Sequence, residues 1–276
     1  MALELLRHGY HVTYVALYGS AESVDLGLRF IHPNLELYRA DELEVAPLLA
    51  RLRVSAQVAI VELPALEYLA PAKELRTAGC TIVYDLIDDW SAPSLGGRWY
   101  RPETEARFLQ LADALVASAP PLAKRLTRRA GRQVVVVPNG VNAAVFGGDP
   151  GPTPDDLPKG DGPLFGYHGS LYGDWFDWMA LRRVAEQFPA ARVVVIGDHR
   201  HQHPPMPANV WFLGLKPQSE LPAYLSRLDV GIIPWVVSGV THAVSPLKVY
   251  EYLASGVPVA ASPLRSLRGL QGVHLA

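Results

Sequence analysis

The 276-residue sequence has one cysteine, Cys80, and three methionines. A lone thiol excludes a disulfide framework within the chain and fits a reducing compartment. An excess of charge of either sign is missing as well. With 25 Lys and Arg against 27 Asp and Glu the net charge is −2, so nothing marks a general nucleic-acid binder and no nucleic-acid partner is expected. No apolar run approaches the roughly 20 residues of a membrane-spanning helix. Met1–Arg7 reads as the start of an amphipathic helix rather than as a secretion signal. A cytoplasmic protein is the expectation. Arg125, Arg128, Arg129 and Arg132 cluster around one helix end; their default meaning is a solvated face, with peripheral membrane contact the minority reading.

What is present is an ordinary soluble composition, 49% hydrophobic and 19% charged, in a chain long enough for two domains. Short apolar runs at 11–17, 30–38, 58–62, 80–85, 114–118 and 134–137 alternate with helical patterns, among them 2–8, 42–52, 66–78, 103–111 and 121–129. Buried strands separated by helices predict a parallel α/β sheet. The first unit opens on a helix with no strand before it. Periodicity then vanishes between Gly147 and Gly162, a stretch rich in Gly, Pro and Asp, which predicts a linker there. The same alternation restarts with strands at 164–168, 191–197, 210–214 and 230–234 and helices at 178–188 and 220–228. The domains expected are 1–146 and 163–276, joined by 147–162.

The second half ends in Ser245-Pro246-Leu247-Lys248-Val249-Tyr250-Glu251-Tyr252-Leu253-Ala254-Ser255-Gly256. Ser245 suits an N-cap, Pro246 the first helical position and Gly256 the residue past the end. Leu247, Tyr250 and Leu253/Ala254 would form the apolar face, leaving Lys248 and Glu251 together on another. A helix start offers free amides and positive partial charge, which suit a phosphate. Lys248 adds a full charge, and Glu251 can accept from sugar hydroxyls. Taken alone, such a pair is more often a solvated surface contact.

Several motifs change that weighting. Val137-Pro138-Asn139-Gly140-Val141-Asn142 with Phe146, Gly166-Tyr167-His168-Gly169-Ser170-Leu171, Val210-Trp211-Phe212-Leu213-Gly214-Leu215, Leu228-Asp229-Val230-Gly231-Ile232-Ile233-Pro234 and the Pro246–Gly256 stretch follow in that order. In this arrangement the chain resembles the glycosyltransferases of group 1 type. The resemblance implies a GT-B fold, two Rossmann-like parallel-sheet domains facing a cleft, with the donor in the second. It implies transfer of a sugar from a nucleotide diphosphate sugar to an acceptor hydroxyl, mostly with retention, in polysaccharide or glycoconjugate synthesis. A glycan or lipid-linked acceptor follows from the same likeness. Donor-binding residues would be Gly169, Ser170, Leu215, His242, Ser245, Lys248 and Glu251. Glu251 would accept from the ribose, Lys248 and the amides near Ser245 would face the diphosphate, and the turn at Leu215 would hold the base. No cofactor and no obligatory metal are implied, since helix dipole and Lys248 can stabilise the leaving group.

The chain departs from the family pattern in places. Ala243 stands where many members carry a further glutamate, and Gly169–Trp178 holds Asp174 and Asp177 but no Arg or Lys. The first strand with its glycine loop, and the helices after the last strand, have no counterpart. These departures keep open an inactive or incomplete glycosyltransferase-like module that binds nucleotide or a protein partner. A nucleotide-sugar epimerase of the same fold is a weaker alternative.

Other candidates carry bland readings beside functional ones. Asp85, Asp88 and Asp89 follow a strand end; Asp88 is the candidate base toward the acceptor hydroxyl, against a loop of solvated acids with one helix cap. His199, His201 and His203 alternate as metal ligands would on a strand, but their Pro-bounded polar loop makes solvated histidines the expectation. Trp175, Phe176 and Trp178 either shape the donor pocket or belong to the core.

Overall fold

The computed structural model describes residues 2–17, 33–41, 43–52, 57–97, 99–171, 175–199 and 203–276. Expectations for the strand start at 30–32, for Glu42, for Asp174 and for His201 lie outside them. Contacts divide the chain into two compact units: Met1–Leu86, Leu95–Val116 and Lys124–Val135 in one, Ile87–Ser94, Ala117–Ala123 and Val136–Ala276 in the other.

The first unit begins with α1 (Ala2–Arg7) and β1 (Val12–Ala16), which pairs in parallel with β2 (Leu35–Arg39). A second sheet contains β3 (Val58–Val61), β4 (Thr81–Leu86), β5 (Ala114–Ala117) and β6 (Val135–Val136) in that order. The expected elements are thus present, but as two separate sheets among the described residues. Along the chain, α2 (Val45–Leu52) precedes β3, and α3 (Leu69–Thr77), α4 (Pro102–Leu111) and α5 (Pro120–Ala130) connect the successive strands of the second sheet.

The arginine cluster is not simply a solvated face. Glu105 on α4 is fully buried and accepts from Tyr84 Oη at 2.9 Å, Tyr100 Oη at 2.8 Å and Arg125 Nη2 at 2.9 Å, and also from Arg129. Arg132 donates to the carbonyls of Leu109 and Ala112. Only the position of Glu105, far away in sequence, shows where those charges go. Arg128 stays exposed.

The second unit is one six-stranded parallel sheet. Its strands are β7 (Leu164–His168), β8 (Arg192–Ile196), β9 (Val210–Gly214), β10 (Val230–Ile233), β11 (Val259–Ala261) and β12 (Val273–Leu275), ordered β12-β11-β10-β7-β8-β9. Counted from β7 this is the doubly wound order, and it reverses between β7 and β10. Ligands in such sheets bind beyond the carboxyl ends of the strands at that reversal. β12 and two short helices, α6 (Ala143–Phe146) and α9 (Gly239–Ala243), have no counterpart in the sequence reading. A turn or two of helix is too short for its periodicity to register.

The core explains how α10 (Leu247–Ala254) is seated. Gly166 on β7 pairs with Gly231 on β10, and a Cβ on Gly231 would stand 2.6 Å from the Tyr252 ring. The missing side chain is therefore the seat for Tyr252, which is fully buried. Its hydroxyl donates to Gly166 O at 3.1 Å and accepts from His168 N at 3.1 Å. The buried positions of α10 are accordingly Val249, Glu251 and Tyr252. Leu247 is 41% exposed, so the apolar face differs from the one the spacing predicts. With Tyr252 held by the strands, Lys248 one turn earlier and Glu251 beside it turn toward the ends of β7 and β10.

Candidate donor-binding site

At the end of β7 the chain turns through Gly169, with φ +125°. A Cβ there would lie 1.9 Å from Lys248 Cε and 2.6 Å from Nζ. The lysine chain thus crosses the glycine, in a backbone conformation that L-residues rarely adopt. Lys248 Nζ stands 6.0 Å from the Tyr167 ring centroid and 5.7 Å from that of Trp235, within reach of the rings' negative faces. Burial pushes its pKa down, and the Glu251 charge partly opposes that shift. A bound anion would reverse the shift, because a partly desolvated cation gains most from a close counter-charge.

Glu251 is 5% exposed. Burial raises its pKa, while Lys248 and a hydrogen bond from the Gln218 side chain pull it down. That bond brings the segment after Leu215-Lys216-Pro217 beside α10. His168 Nε2 lies 3.3 Å from Glu251 Oε2, yet it has no hydrogen-bond partner. Burial, followed by the Lys248 charge, depresses the His168 pKa to about 3. The ring is neutral, so the contact is not an ion pair. The solvated surface pair expected for an isolated Lys and Glu is overturned for this helix.

The remaining predicted residues divide. Ser245 is not the N-cap: Pro246, at φ −64° and ψ 111°, holds that place without a side-chain cap. The proline prolongs the extended entry by one residue, since its ring fixes φ and its ψ remains outside the helical range. Ser245 instead shares a hydrogen bond with Tyr250 Oη at 3.1 Å, and its carbonyl accepts from Asn139 Nδ2 at 2.7 Å. The Pro138-Asn139-Gly140 motif therefore pins the loop that leads into α10. Gly256 follows the helix at φ +76°, as expected for its C-terminal end. His242 lies in α9 and its Nδ1 accepts from Arg265 N at 3.3 Å. Ser170 O accepts from Tyr167 Oη at 2.9 Å. Leu215 is 77% exposed on the turn after β9. Lys216 beside it is bonded to Asp156 at 2.6 Å.

Asp88 occupies a different setting. Its Oδ1 accepts from Asp89 N at 2.9 Å, and burial raises its pKa to about 6, with the Asp89 charge adding to the rise. Asp89 accepts from Ser91 N at 3.2 Å and from the Ser91 hydroxyl. These acids organise a turn rather than cap a helix.

The aromatic and histidine candidates are mostly packed. Phe176 is buried, with its ring 4.7 Å from Tyr167 and 4.6 Å from Trp178. Asp177 caps α7 (Trp178–Gln187) by accepting from Ala180 N at 2.8 Å. His203 stacks on Phe212 at 4.1 Å and His199 meets the same ring edge-on at 5.1 Å, so these histidines are not simply solvated. Sequence reasoning missed Tyr252, Gln218 and Trp235 as site supports. The Gly166/Gly231 pair was the one available signal, and it required strand register to be read.

Comparison with known proteins bears on the family and the fold. Residues 162–274 match the family model for glycosyl transferases group 1. The "Putative teichuronic acid biosynthesis glycosyltransferase TuaH" of Bacillus subtilis (strain 168) is 30% identical over 208 residues, 69% of this chain and 52% of that protein. The chain thus spans about half the length of this curated relative. The crystal structure of Anabaena Alr3699/HepE in complex with UDP-glucose is similar over 95% of this chain and 77% of its own, with TM-score 0.65 and 16% identity. Sucrose-phosphate synthase from Thermosynechococcus elongatus is similar over 96% and 74%, with TM-score 0.61 and 16% identity. At such identity the likeness is one of fold, and it is the GT-B fold. Residues 162–274 thus form a glycosyl transferases group 1 domain.

Proposed function

We propose that the chain binds a nucleotide diphosphate sugar in its second unit and transfers the sugar to an acceptor hydroxyl. The carrying observation is the partly buried Lys248 amine laid across Gly169 beside the buried Glu251. A cation held out of water at a strand end, next to a helix start, is placed for an anionic ligand. In this reading Lys248 and the first amides of α10 take the diphosphate and stabilise the charge that grows on the departing nucleoside diphosphate. Glu251 accepts the ribose hydroxyls. Gly169 and Ser170 let the backbone approach the phosphates, Ser245 and His242 line the diphosphate side, and the Leu215 turn holds the base.

Asp88 is the candidate base or orienting group for the acceptor hydroxyl, since a carboxyl with pKa near 6 can exchange a proton close to neutral pH. Retention of configuration, a glycan or lipid-linked acceptor, and a role in polysaccharide or glycoconjugate synthesis complete the proposal. The teichuronic acid name of the Bacillus relative and the UDP-glucose of the Anabaena structure support the acceptor and donor classes. No helix among the described residues is long and apolar enough to cross a membrane. Contact with a lipid-linked acceptor would therefore be peripheral for the described part of the chain.

Calorimetric titration with UDP, GDP and ADP tests the donor site. One nucleotide is expected to bind, and Lys248→Ala or Glu251→Ala should weaken it about tenfold or more, roughly 1.4 kcal/mol. A folded protein that binds none of the three would favour the incomplete, inactive module instead.

A further inference from the structure

One buried group in the site has no task in the donor-binding reading. His168 is 4% exposed, and its Nε2 is buried without a hydrogen-bond partner 3.3 Å from Glu251 Oε2. Buried polar atoms without partners are rare in folded proteins, and each needs a reason. The residue is packed on both its backbone and its ring. Its backbone N–H is bonded to Tyr252 Oη at 3.1 Å, and its edge packs against the Tyr252 ring with centroids 5.0 Å apart. Glu251 is the adjustable member, because the last torsion of a glutamate is broad. A phenylalanine would fill the same space with no stranded nitrogen, so packing alone does not call for histidine here.

We propose that His168 is a positioning residue whose neutral Nε2–H turns the Glu251 carboxylate toward the paired hydroxyls of the nucleotide's ribose. The inference rests on the role given to Glu251 above. An ionised carboxylate has about four acceptor sites. Gln218 occupies one, His168 takes a second once the carboxylate turns to it, and two are left for a ribose diol. A neutral ring suits the place, because an imidazolium would set a second cation beside Lys248.

The test is calorimetry with whichever of UDP, GDP and ADP the parent protein binds, together with its 2′-deoxy analogue. His168→Phe is expected to remain folded and bind the ribonucleotide about fivefold or more weakly, and to bind the deoxy analogue with a smaller loss. His168→Gln, whose amide nitrogen can reach toward Nε2, should return to within about twofold of the parent. In a Glu251→Gln background, His168→Phe should add nothing further, since the two act as one unit. If His168→Phe does not fold, His168→Asn, which is polar but too short, takes its place with the same expectation. A folded variant that binds like the parent, or losses that simply add in the double variant, would overturn the inference while leaving the donor site standing. A parent that binds no nucleotide would overturn both.

Discussion

Lys248 lies across Gly169 so closely that a single added carbon on the glycine would stand 1.9 Å from the lysine Cε. Two residues far apart in sequence thus share one small volume, and the glycine is what allows the amine to sit at the end of β7. Gly169→Ala should both strain the backbone at φ +125° and displace the lysine. We expect a stability loss of about 1–3 kcal/mol and a loss of nucleotide binding comparable to that of Lys248→Ala. Urea denaturation and calorimetry on the same preparation check the two effects; an alanine variant with parental affinity would show that the lysine position is unimportant.

Glu105 carries the corresponding prediction for the first unit. It is fully buried and accepts bonds from Tyr84, Tyr100, Arg125 and Arg129. Glu105→Gln leaves two guanidinium groups short of their carboxylate. It should destabilise the protein by about 3–5 kcal/mol, read from the midpoint of urea unfolding. A change below about 1 kcal/mol, as for an exposed ion pair, would mean that the network is open to water.

The His168 ring predicts a pH dependence. Its pKa is depressed to about 3 in the folded protein, against about 6.5 in an unfolded chain. Below pH 6.5 the unfolded state takes up the proton and the folded state does not, so stability falls as pH drops from 6.5 toward 3. Lys248 and Glu251 on α10 face the ring, together with Tyr252, and they remain in a His168→Phe variant. The parent should therefore lose about 2 kcal/mol more than that variant between pH 7 and pH 5. Equal losses, measured by urea unfolding at both pH values, would show that the ring gains its proton in the folded state.

Asp88 predicts a pH dependence of the reaction rather than of stability. Burial raises its pKa to about 6, so as a base it is competent only above that pH. Sugar transfer should fall on the acid side with an apparent pKa near 6, and Asp88→Asn should remove that limb and slow transfer about 10²- to 10⁴-fold. A variant that keeps both rate and profile would leave Asp88 as a turn-forming acid bonded to Asp89 N.

Much of the architecture was legible from pattern alone. Leu164–His168 and Val210–Gly214 are strands with the bounds their apolar runs predict. Trp178–Gln187 and Pro102–Leu111 are helices within a residue of expectation. Helix α8 (Leu221–Leu225) is shorter than the spacing to Leu228 predicts, because local periodicity does not say where tertiary turns take over. Register was not legible. Nothing local to Gly166 or Gly231 says that they pair, and that pairing decides where Tyr252 goes and which residues of α10 are buried.

The residue types of the candidate site belong to the sequence: a lysine and a glutamate one turn apart on a short helix, after a glycine-ended strand. Chemistry and spacing determine that list, since both are properties of neighbours along the chain. Whether the pair is a solvated ornament or a desolvated site was decided by tertiary structure. Burial depends on the Tyr252 seat between distant strands, the His168 nitrogen faces Glu251 from another element, and Gly169 leaves room for Lys248. Desolvation and distance arise only once the chain has folded, and they are what shift the pKa values of His168, Lys248 and Glu251.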